Sequence, residues 1–320
     1  MTVARHPSST PPGAATGLAI ETAGLAKRYG RTLALADLTL RVPRGQVFGF
    51  LGPNGAGKTT AVKLLLGLAR PTGGVGWVLG APVGDREVRR RVGYLPELFR
   101  YQAWLTARDV LLFHADLTGI ERAHRSRTIG DALDLVGLAD RGGDRVGTFS
   151  KGMQQRLGLG VALLGRPELV FLDEPTSALD PLGRLDVRTV IGELRDRRTT
   201  VFLNSHLLTE VERVCDEVAI VDHGRVVAAG PLDDLLGAAT VRLRVTGLEG
   251  AARAALDAFG NVVDDPPWLI VHGCPVDRVP DLVSGIVAAG GRVYAVDTGR
   301  ETLEERFLEL LGRPGPGGHT

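Results

Sequence analysis

The chain lacks several features that would place it in a specialised class. Cysteine occurs twice in 320 residues, at Cys215 and Cys274. The two stand far apart and without the spacing of metal ligands, which argues against a disulfide framework and fits a reducing compartment. The simplest interpretation of both is a small buried side chain.

Long apolar runs are also missing. No stretch approaches the ~18 apolar residues that a membrane-spanning helix needs. Residues 1–16 are rich in Ser, Pro and Ala and have no apolar core of the kind found in a secretory signal. We therefore expect a cytoplasmic chain with disordered tails at residues 1–17 and 313–320.

Charge of one sign is lacking as well, since the formal net charge is only +1. The longest basic run is Arg89-Arg90-Arg91, which is typical of a solvated helix face. With no basic stripe, the chain offers no electrostatic reason to bind nucleic acid. What is present is 44% apolar residues, enough for a large globular domain with an appendage.

Residues 18–235 alternate short apolar runs with helical periods, which predicts an α/β layer fold. Residues 98–165 have helical periods and little strand character, which predicts a helical subdomain. The predicted strands are 46–51, 77–79, 92–95, 169–172, 200–203 and a hairpin over 218–229.

Residues 240–312 follow a change of composition and predict a separate small α+β domain. Its pattern is β-α-β-β-α-β with one more helix, which resembles a ferredoxin-like unit. The predicted elements are strands 241–246, 261–263, 268–272 and 292–297 and helices 250–258, 277–288 and 302–311.

A glycine-rich loop joins the strand 46–51 to a helix that begins at Lys58. Its spacing, G-x-x-x-x-G-K-T, predicts a phosphate-binding loop in this strand–loop–helix context. Glycines let backbone N–H groups converge on phosphates, and the helix N-terminus favours negative charge. Lys58 would reach the β- and γ-phosphates, Thr59 would bind Mg²⁺, and Thr60 would contact the α-phosphate. The loop consists of Gly52, Pro53, Asn54, Gly55, Ala56, Gly57, Lys58 and Thr59.

Two carboxylates follow the apolar strand 169–172. Asp173 could hold Mg²⁺ through water, and Glu174 could accept a proton from an attacking water. The sequence Leu-Asp-Glu also occurs as an ordinary strand-end turn. Its pairing with the phosphate loop favours the functional interpretation.

These motifs, taken in order, resemble the ATP-binding subunits of ABC transporters over about residues 18–230. Residues 52–59 match the Walker A loop, residues 149–153 the signature motif, and residues 177–180 the D-loop. Asp173 and Glu174 match the Walker B aspartate and the catalytic glutamate, and His206 matches the switch histidine. The fold implied is a P-loop NTPase of the ABC ATPase class, with ATP and Mg²⁺ as its ligands.

The resemblance implies further roles. Tyr29 would stack on adenine, although an edge-strand tyrosine is the plain alternative. Ser150 and Gly152 would contact the γ-phosphate of an ATP held by an opposing subunit, and Asp180 would belong to the same composite site. His206 would act beside Glu174 as a second catalytic residue, whereas a lone histidine is more often structural.

The chain departs from the family pattern in two places. Glu97 stands where the family has the Q-loop glutamine, and it could contact Mg²⁺ or the water. Lys151 and Met153 replace the usual glycine and glutamine of the signature motif. The segment Leu95-Pro96-Glu97, residues 149–153 and residues 302–310 resemble the exporter branch often called ABC-2 or drug-resistance type.

One loop and one signature motif per chain imply a head-to-tail dimer, either a homodimer or a dimer with a paralogous ATPase subunit. With no membrane span, the chain would need a polytopic membrane permease and would lie peripherally on the inner face of the cell membrane. Residues 98–104 carry three aromatics and are predicted to contact that permease. The alternative for these aromatics is packing within the helical subdomain.

Two other classes remain open from the sequence alone. One is a soluble ABC ATPase acting on nucleic acid or ribosomes, whose members usually carry two cassettes or long coiled coils. The other is a small-molecule kinase or GTPase, which would leave the signature motif and His206 unexplained. Export through a separate permease, driven by ATP binding and hydrolysis, accounts for every motif.

Overall fold

The fold was derived from a computed structural model, which describes residues 17–177, 179–236, 239–248, 253, 255–300 and 302–312. The predicted tails are residues 1–17 and 313–320. Of these, only Gly17 is among the described residues. Ala178 of the D-loop and residues 250–252 and 254 of the helix predicted over 250–258 also lie outside the described ranges. The chain divides into two compact units between Ala229 and Gly230.

The first unit contains a ten-stranded sheet with the order β5-β4-β1-β2-β10-β9-β3-β8-β7-β6. Strands β3, β9, β8, β7 and β6 form its parallel part, and β1 runs antiparallel to β2 and β4. The strands are β1 (Leu18–Tyr29), β2 (Thr32–Pro43), β3 (Val47–Leu51), β4 (Gly73–Val78), β5 (Ala81–Pro82), β6 (Val92–Leu95), β7 (Leu169–Asp173), β8 (Thr200–Asn204), β9 (Glu217–Asp222) and β10 (Arg225–Pro231).

Helices pack against this sheet or form the helical segment between β6 and β7. Short 3-10 turns lie at Ala139–Arg141 and Val146–Thr148. The α-helices before the boundary are α1 (Lys58–Leu65), α2 (Arg86–Arg89), α3 (Ala107–Leu117), α4 (Arg122–Leu135), α5 (Lys151–Ala162), α6 (Pro181–Asp196) and α7 (Leu208–Val214).

Four phenylalanines join the central parallel strands. The ring of Phe202 on β8 lies 5.8 Å from that of Phe48, 5.1 Å from Phe50 and 5.2 Å from Phe171, centroid to centroid. All four side chains are fully buried, and each burial contributes about 2–3 kcal/mol. This packing fixes the register of β3, β7 and β8, so their carboxyl ends meet at one edge of the sheet.

The sequence analysis did not predict β1 and β2, which form a long antiparallel pair with several register shifts. Their apolar positions alternate imperfectly because of those bulges, so the period-2 pattern is weak. The pair matters for function, since the first residues of β2 lie beside the phosphate loop. The other predicted strands agree with the structure to within a few residues.

The second unit has a four-stranded antiparallel sheet with the order β12-β13-β11-β14. Val241, Leu243, Val271 and Leu282 are fully buried in its core. Of the helix predicted over 250–258, the described residues are Arg253, which is helical, and Ala255–Ala258, which form a 3-10 turn; the other positions lie outside the described residues. Its other elements are α8 (Leu232–Leu235), β11 (Ala239–Thr246), β12 (Asn261–Asp265), β13 (Trp268–His272), a 3-10 turn at Val276–Arg278, α9 (Val279–Ala288), β14 (Arg292–Arg300) and α10 (Leu303–Leu310).

Candidate active site

The phosphate loop connects the end of β3 to the start of α1, and two of its glycines have no room for a side chain. A Cβ on Gly52 would lie 2.2 Å from the Val221 carbonyl oxygen, and one on Gly57 would lie 2.5 Å from the Ala34 oxygen. Gly57 also has φ +100°, a conformation that disfavours L-residues. The loop therefore keeps its shape only with glycine at these two positions.

Lys58 is buried under the loop that precedes it. Its Nζ donates to the carbonyl oxygens of Gly52, at 2.7 Å, and Pro53, at 3.2 Å. Burial lowers the pKa of Lys58, and the nearby carboxylates of Glu174, Asp173 and Glu97 oppose that shift. The ammonium is thus held at the loop among carboxylates, where a phosphate could accept its hydrogen bonds.

Asp173 is the last residue of β7 and is buried beside the end of β8. Burial raises its pKa, against the effect of a hydrogen bond of 2.5 Å from Asn204 Nδ2 to Asp173 Oδ1. The negative charges of Glu97 and Glu174 also raise the pKa of Asp173. The same surroundings raise the pKa of Tyr94 to about 12, through burial first and then through Asp173 and Glu97.

Glu174 has an unusual backbone conformation. Its φ is +52°, although a residue that precedes proline is normally extended. Its N–H donates to the Asn204 carbonyl oxygen at 2.8 Å, and its carbonyl accepts from Ser177 Oγ at 3.2 Å. Its Oε2 lies 2.7 Å from Nδ1 of His206. Strain of this kind is kept where surrounding contacts enforce it, and it is common at functional sites.

These groups surround one cavity of about 440 Å³. Of the residues predicted from sequence, it brings together part of the phosphate loop, Glu97, the acidic pair and His206. The loop residues Gly52, Pro53 and Ala56 are not among its lining residues. The complete lining is Thr32, Leu33, Ala34, Asn54, Gly55, Gly57, Lys58, Thr59, Thr60, Glu97, Asp173, Glu174, Asn204 and His206.

Four predicted site residues outside the phosphate loop are also not among those that line the cavity. Tyr29 is half exposed at the end of β1, with Lys27 Nζ 4.9 Å from its ring centroid. Ser150 caps α5, where its Oγ accepts from Met153 N–H at 3.2 Å, and Asp180 caps α6 in the same way with Gly183. Gly152 follows in the first turn of α5. The structure gives Ser150 and Asp180 local capping partners.

Four lining residues were missed by the sequence analysis. Thr32, Leu33 and Ala34 lie at the start of β2, which was not predicted as a strand. Asn204 lies between the predicted strand 200–203 and His206 and was assigned no role of its own. A signal in the sequence could have found it, because Asn204 is a polar residue at the carboxyl end of a buried strand, where α/β sheets commonly bind ligands. In the structure it lies opposite Asp173 on the neighbouring strand.

The residues present fit a magnesium ion bound together with phosphates. Among the described residues, no group of three or more His, Cys, Asp or Glu side chains could hold a metal unaided. Mg²⁺ usually takes one or two carboxylates plus substrate oxygens and water, and Thr59, Asp173 and Glu97 line this cavity. Asn204 Oδ1 is a buried acceptor without a hydrogen-bond partner here, which a metal-bound water could supply.

The segment 98–104, predicted to contact a membrane partner, divides into two kinds of residue. Leu98 is 87% exposed and Trp104 is 71% exposed. Phe99 and Tyr101 are partly buried, with their rings 5.3 Å apart, and the Tyr101 ring lies 6.1 Å from that of His114 on α3. Packing therefore accounts for Phe99 and Tyr101, and Leu98 and Trp104 are left as surface groups.

Comparison with known proteins agrees with this geometry. The family model for ABC transporters matches residues 35–177. The daunorubicin/doxorubicin resistance ATP-binding protein DrrA of Streptomyces peucetius is 36% identical over 313 residues, covering 92% of this chain and 93% of that protein. The chain belongs to the ATP-binding proteins of ABC transporters.

Further matches support the family and the fold. The bacitracin transport ATP-binding protein BcrA of Bacillus licheniformis is 42% identical over 219 residues, covering 68% of this ABC protein and 71% of its own length. A solved ATP-binding subunit of an ABC transporter superposes with a TM-score of 0.62 at 33% identity, covering 68% of this chain and 91% of that one.

This ABC protein is thus a P-loop ATPase that binds ATP and couples its hydrolysis to transport. The comparisons give no support to the alternative of an ATPase that acts on nucleic acid or ribosomes. Among the described residues, no helix combines the length and apolarity needed to cross a bilayer.

Proposed function

We propose that this chain energises export through a separate membrane permease, as half of an ATP-closed dimer on the inner face of the cell membrane. The observation that carries the proposal is the cavity where the phosphate loop, Asp173, Glu174 and His206 meet. Relatives of this ABC protein are named for drug resistance and for bacitracin transport. The motifs of the ABC-2 or drug-resistance branch support export over import.

The residues of the cavity divide the chemistry among them. Lys58 and the loop N–H groups would hold the β- and γ-phosphates, and Thr59, Asp173 and Glu97 would hold Mg²⁺. The ion would neutralise charge that develops on the phosphate oxygens. Glu174 would accept a proton from the attacking water. His206, whose Nδ1 lies 2.7 Å from the Glu174 carboxylate, would orient that carboxylate.

Dimerisation is supported by the position of the signature residues. Ser150 is exposed at the start of α5, and neither it nor Gly152 lines the cavity of its own chain. A helix N-terminus with exposed N–H groups suits a phosphate. That phosphate would come from ATP bound to a second ATPase subunit, either another copy of this chain or a paralogue.

Glu174→Gln tests the proposal by slowing hydrolysis without removing the ATP contacts. Gln keeps the shape of Glu but cannot accept the proton, so ATP-bound dimers should accumulate. Light scattering coupled to size exclusion in saturating Mg-ATP should then give twice the monomer mass. Glu87→Gln, an exposed carboxylate paired with Arg90, is the matched control and should behave as the wild type. A Glu174→Gln protein that binds ATP and stays monomeric would contradict a homodimer.

Contact with the permease is proposed for the exposed side chains of the segment 98–104. Leu98→Ser together with Trp104→Ser should weaken co-purification with the permease at least about tenfold, because large apolar anchors dominate interfaces. Basal ATPase activity should not change, since both side chains point to solvent. Val276→Ser, an exposed apolar residue of the second unit, is the control. Unchanged co-purification would rule out this surface.

A further inference from the structure

Asn204 connects the two acidic residues of the site, although no motif of the sequence includes it. It is the last residue of β8 and only 2% exposed. Its Nδ2 donates to Asp173 Oδ1 at 2.5 Å, and its backbone oxygen accepts from Glu174 N–H at 2.8 Å. One residue therefore positions the Asp173 side chain and the strained backbone of Glu174.

The other atom of the Asn204 amide has no hydrogen-bond partner among the described residues. Asn204 Oδ1 is buried, and Asn204 lines the nucleotide cavity. The orientation of the amide follows from its neighbour, because an ionised Asp173 can only accept a hydrogen bond. Turning the amide over would place two acceptor oxygens against each other. The unsatisfied atom is therefore the carbonyl oxygen, which can only accept.

A buried acceptor in an active site calls for a donor that the bound state supplies. Within the part of the chain that the structure describes, no hydroxyl or N–H group supplies one. Mg²⁺ keeps several of its waters when it binds with phosphates, and each such water has two hydrogens to donate. Partners of this kind, one step removed from the metal, orient its ligands and raise its affinity.

We propose that Asn204 is a positioning residue for magnesium. Its NH₂ holds Asp173 in place, and its Oδ1 accepts from a water on the metal side of the site. The inference rests on the proposed magnesium role of Asp173. It adds a specific residue, at the end of β8, that sets how much Mg²⁺ the enzyme needs.

The variants Asn204→Val and Asn204→Thr test this as a matched pair. They have nearly the same shape, but only threonine has a hydroxyl that can donate to Asp173 or accept from water. Val should raise the Mg²⁺ concentration for half-maximal ATPase about tenfold and lower kcat, while the KM for ATP at saturating Mg²⁺ changes less than about twofold. Thr should recover most of the wild-type behaviour.

A second readout does not depend on turnover. Mn²⁺ binding, followed by electron paramagnetic resonance in the presence of a non-hydrolysable ATP analogue, should weaken about tenfold in Asn204→Val and much less in Asn204→Thr. The control is Thr200→Val at the opposite end of β8, where the hydroxyl accepts from Gly45 N–H at 2.9 Å. That variant should lose stability and keep the wild-type metal affinity.

Each outcome decides the inference. Equal metal affinity in the Val and Thr variants, or a Val variant that is less stable but has wild-type Mg²⁺ dependence, would overturn it and leave Asn204 a structural residue. A wild-type enzyme that needs no divalent ion would overturn the proposed magnesium role of Asp173 instead. Weaker metal binding in Val with recovery in Thr would establish the positioning role.

Discussion

Two groups of predicted site residues differ in what surrounds them. The phosphate-loop group is residues 52–60 with Glu97, Asp173, Glu174 and His206, and all of it except Gly52, Pro53 and Ala56 lines one cavity at the carboxyl ends of β3, β7 and β8. The signature group, Ser150, Gly152 and Asp180, lies at the starts of α5 and α6, where Ser150 and Asp180 cap the helices. Residues of the first group share one cavity within one chain, and those of the second do not line it.

Because of this difference, the two groups require different tests. A change in the phosphate-loop group should alter ATP or metal binding by the isolated monomer. A change in the signature group should leave the monomer intact and act only where two subunits meet. The three predictions that follow are arranged from the largest expected effect to the smallest.

Lys58→Met should cause the largest loss. It removes a buried ammonium that can bond two phosphates, and charge-assisted hydrogen bonds of this kind contribute roughly 3 kcal/mol together, or about 100-fold in ATP affinity. Calorimetric titration with ATP measures this on the monomer. Lys63→Met, on an exposed position of the same helix, is the control and should bind ATP normally. Wild-type affinity in Lys58→Met would remove Lys58 from the site.

Asp173→Asn should lower ATPase activity by about 100-fold, while it stabilises the ligand-free protein at neutral pH. Burial raises the folded-state pKa of Asp173 above its ordinary value of 3.8. The ionised carboxylate therefore costs stability, and that cost appears as the pH rises through the range between the unfolded and folded pKa values.

The stability gain of Asp173→Asn should consequently be larger at pH 7 than near pH 3, below the ordinary value of 3.8, where wild-type Asp173 is largely protonated in both states. Thermal unfolding of both proteins across this range measures it. Asn keeps an oxygen that can accept from Asn204, so the local hydrogen bond survives. A variant less stable than the wild type at pH 7 would show that Asp173 is a structural rather than a functional carboxylate.

Gly152→Ala should have the smallest effect on the monomer and separates the two groups most clearly. An added Cβ would meet nothing closer than Leu179 Cδ2 at 3.7 Å, so stability should change by less than about 0.5 kcal/mol. Crowding of the second subunit's phosphate should still lower ATPase activity about tenfold, the equivalent of one weakened charged hydrogen bond.

Gly52→Ala is the same chemical change, but here the main effect should be on the stability of the monomer. Its Cβ would lie 2.2 Å from the Val221 carbonyl oxygen, so the loop must shift and the monomer should lose about 1–3 kcal/mol of stability. Thermal unfolding and monomer ATP titration compare the two alanines directly. If Gly152→Ala also weakened ATP binding by the monomer, the distinction between the two groups would be lost.

The sequence predicted most of the parallel strands because their apolar runs are bounded by glycines and charges. It failed at β1 and β2, where bulges disturb the alternation. It found Lys58 and Asp173 through motif spacing. It missed Thr32, Leu33, Ala34 and Asn204, because which residues lie opposite a motif depends on strand order.

The order of the motifs along the chain was sufficient to predict the fold class, the ATP site and the family, because each motif has a local chemistry tied to its spacing. Only the tertiary structure decided which of those residues share a cavity. Sheet register places Asn204 against Asp173, and loop closure places His206 on Glu174. Ser150 and Gly152 have the spacing of site residues, but helix geometry places them at the start of α5, away from the cavity of their own chain.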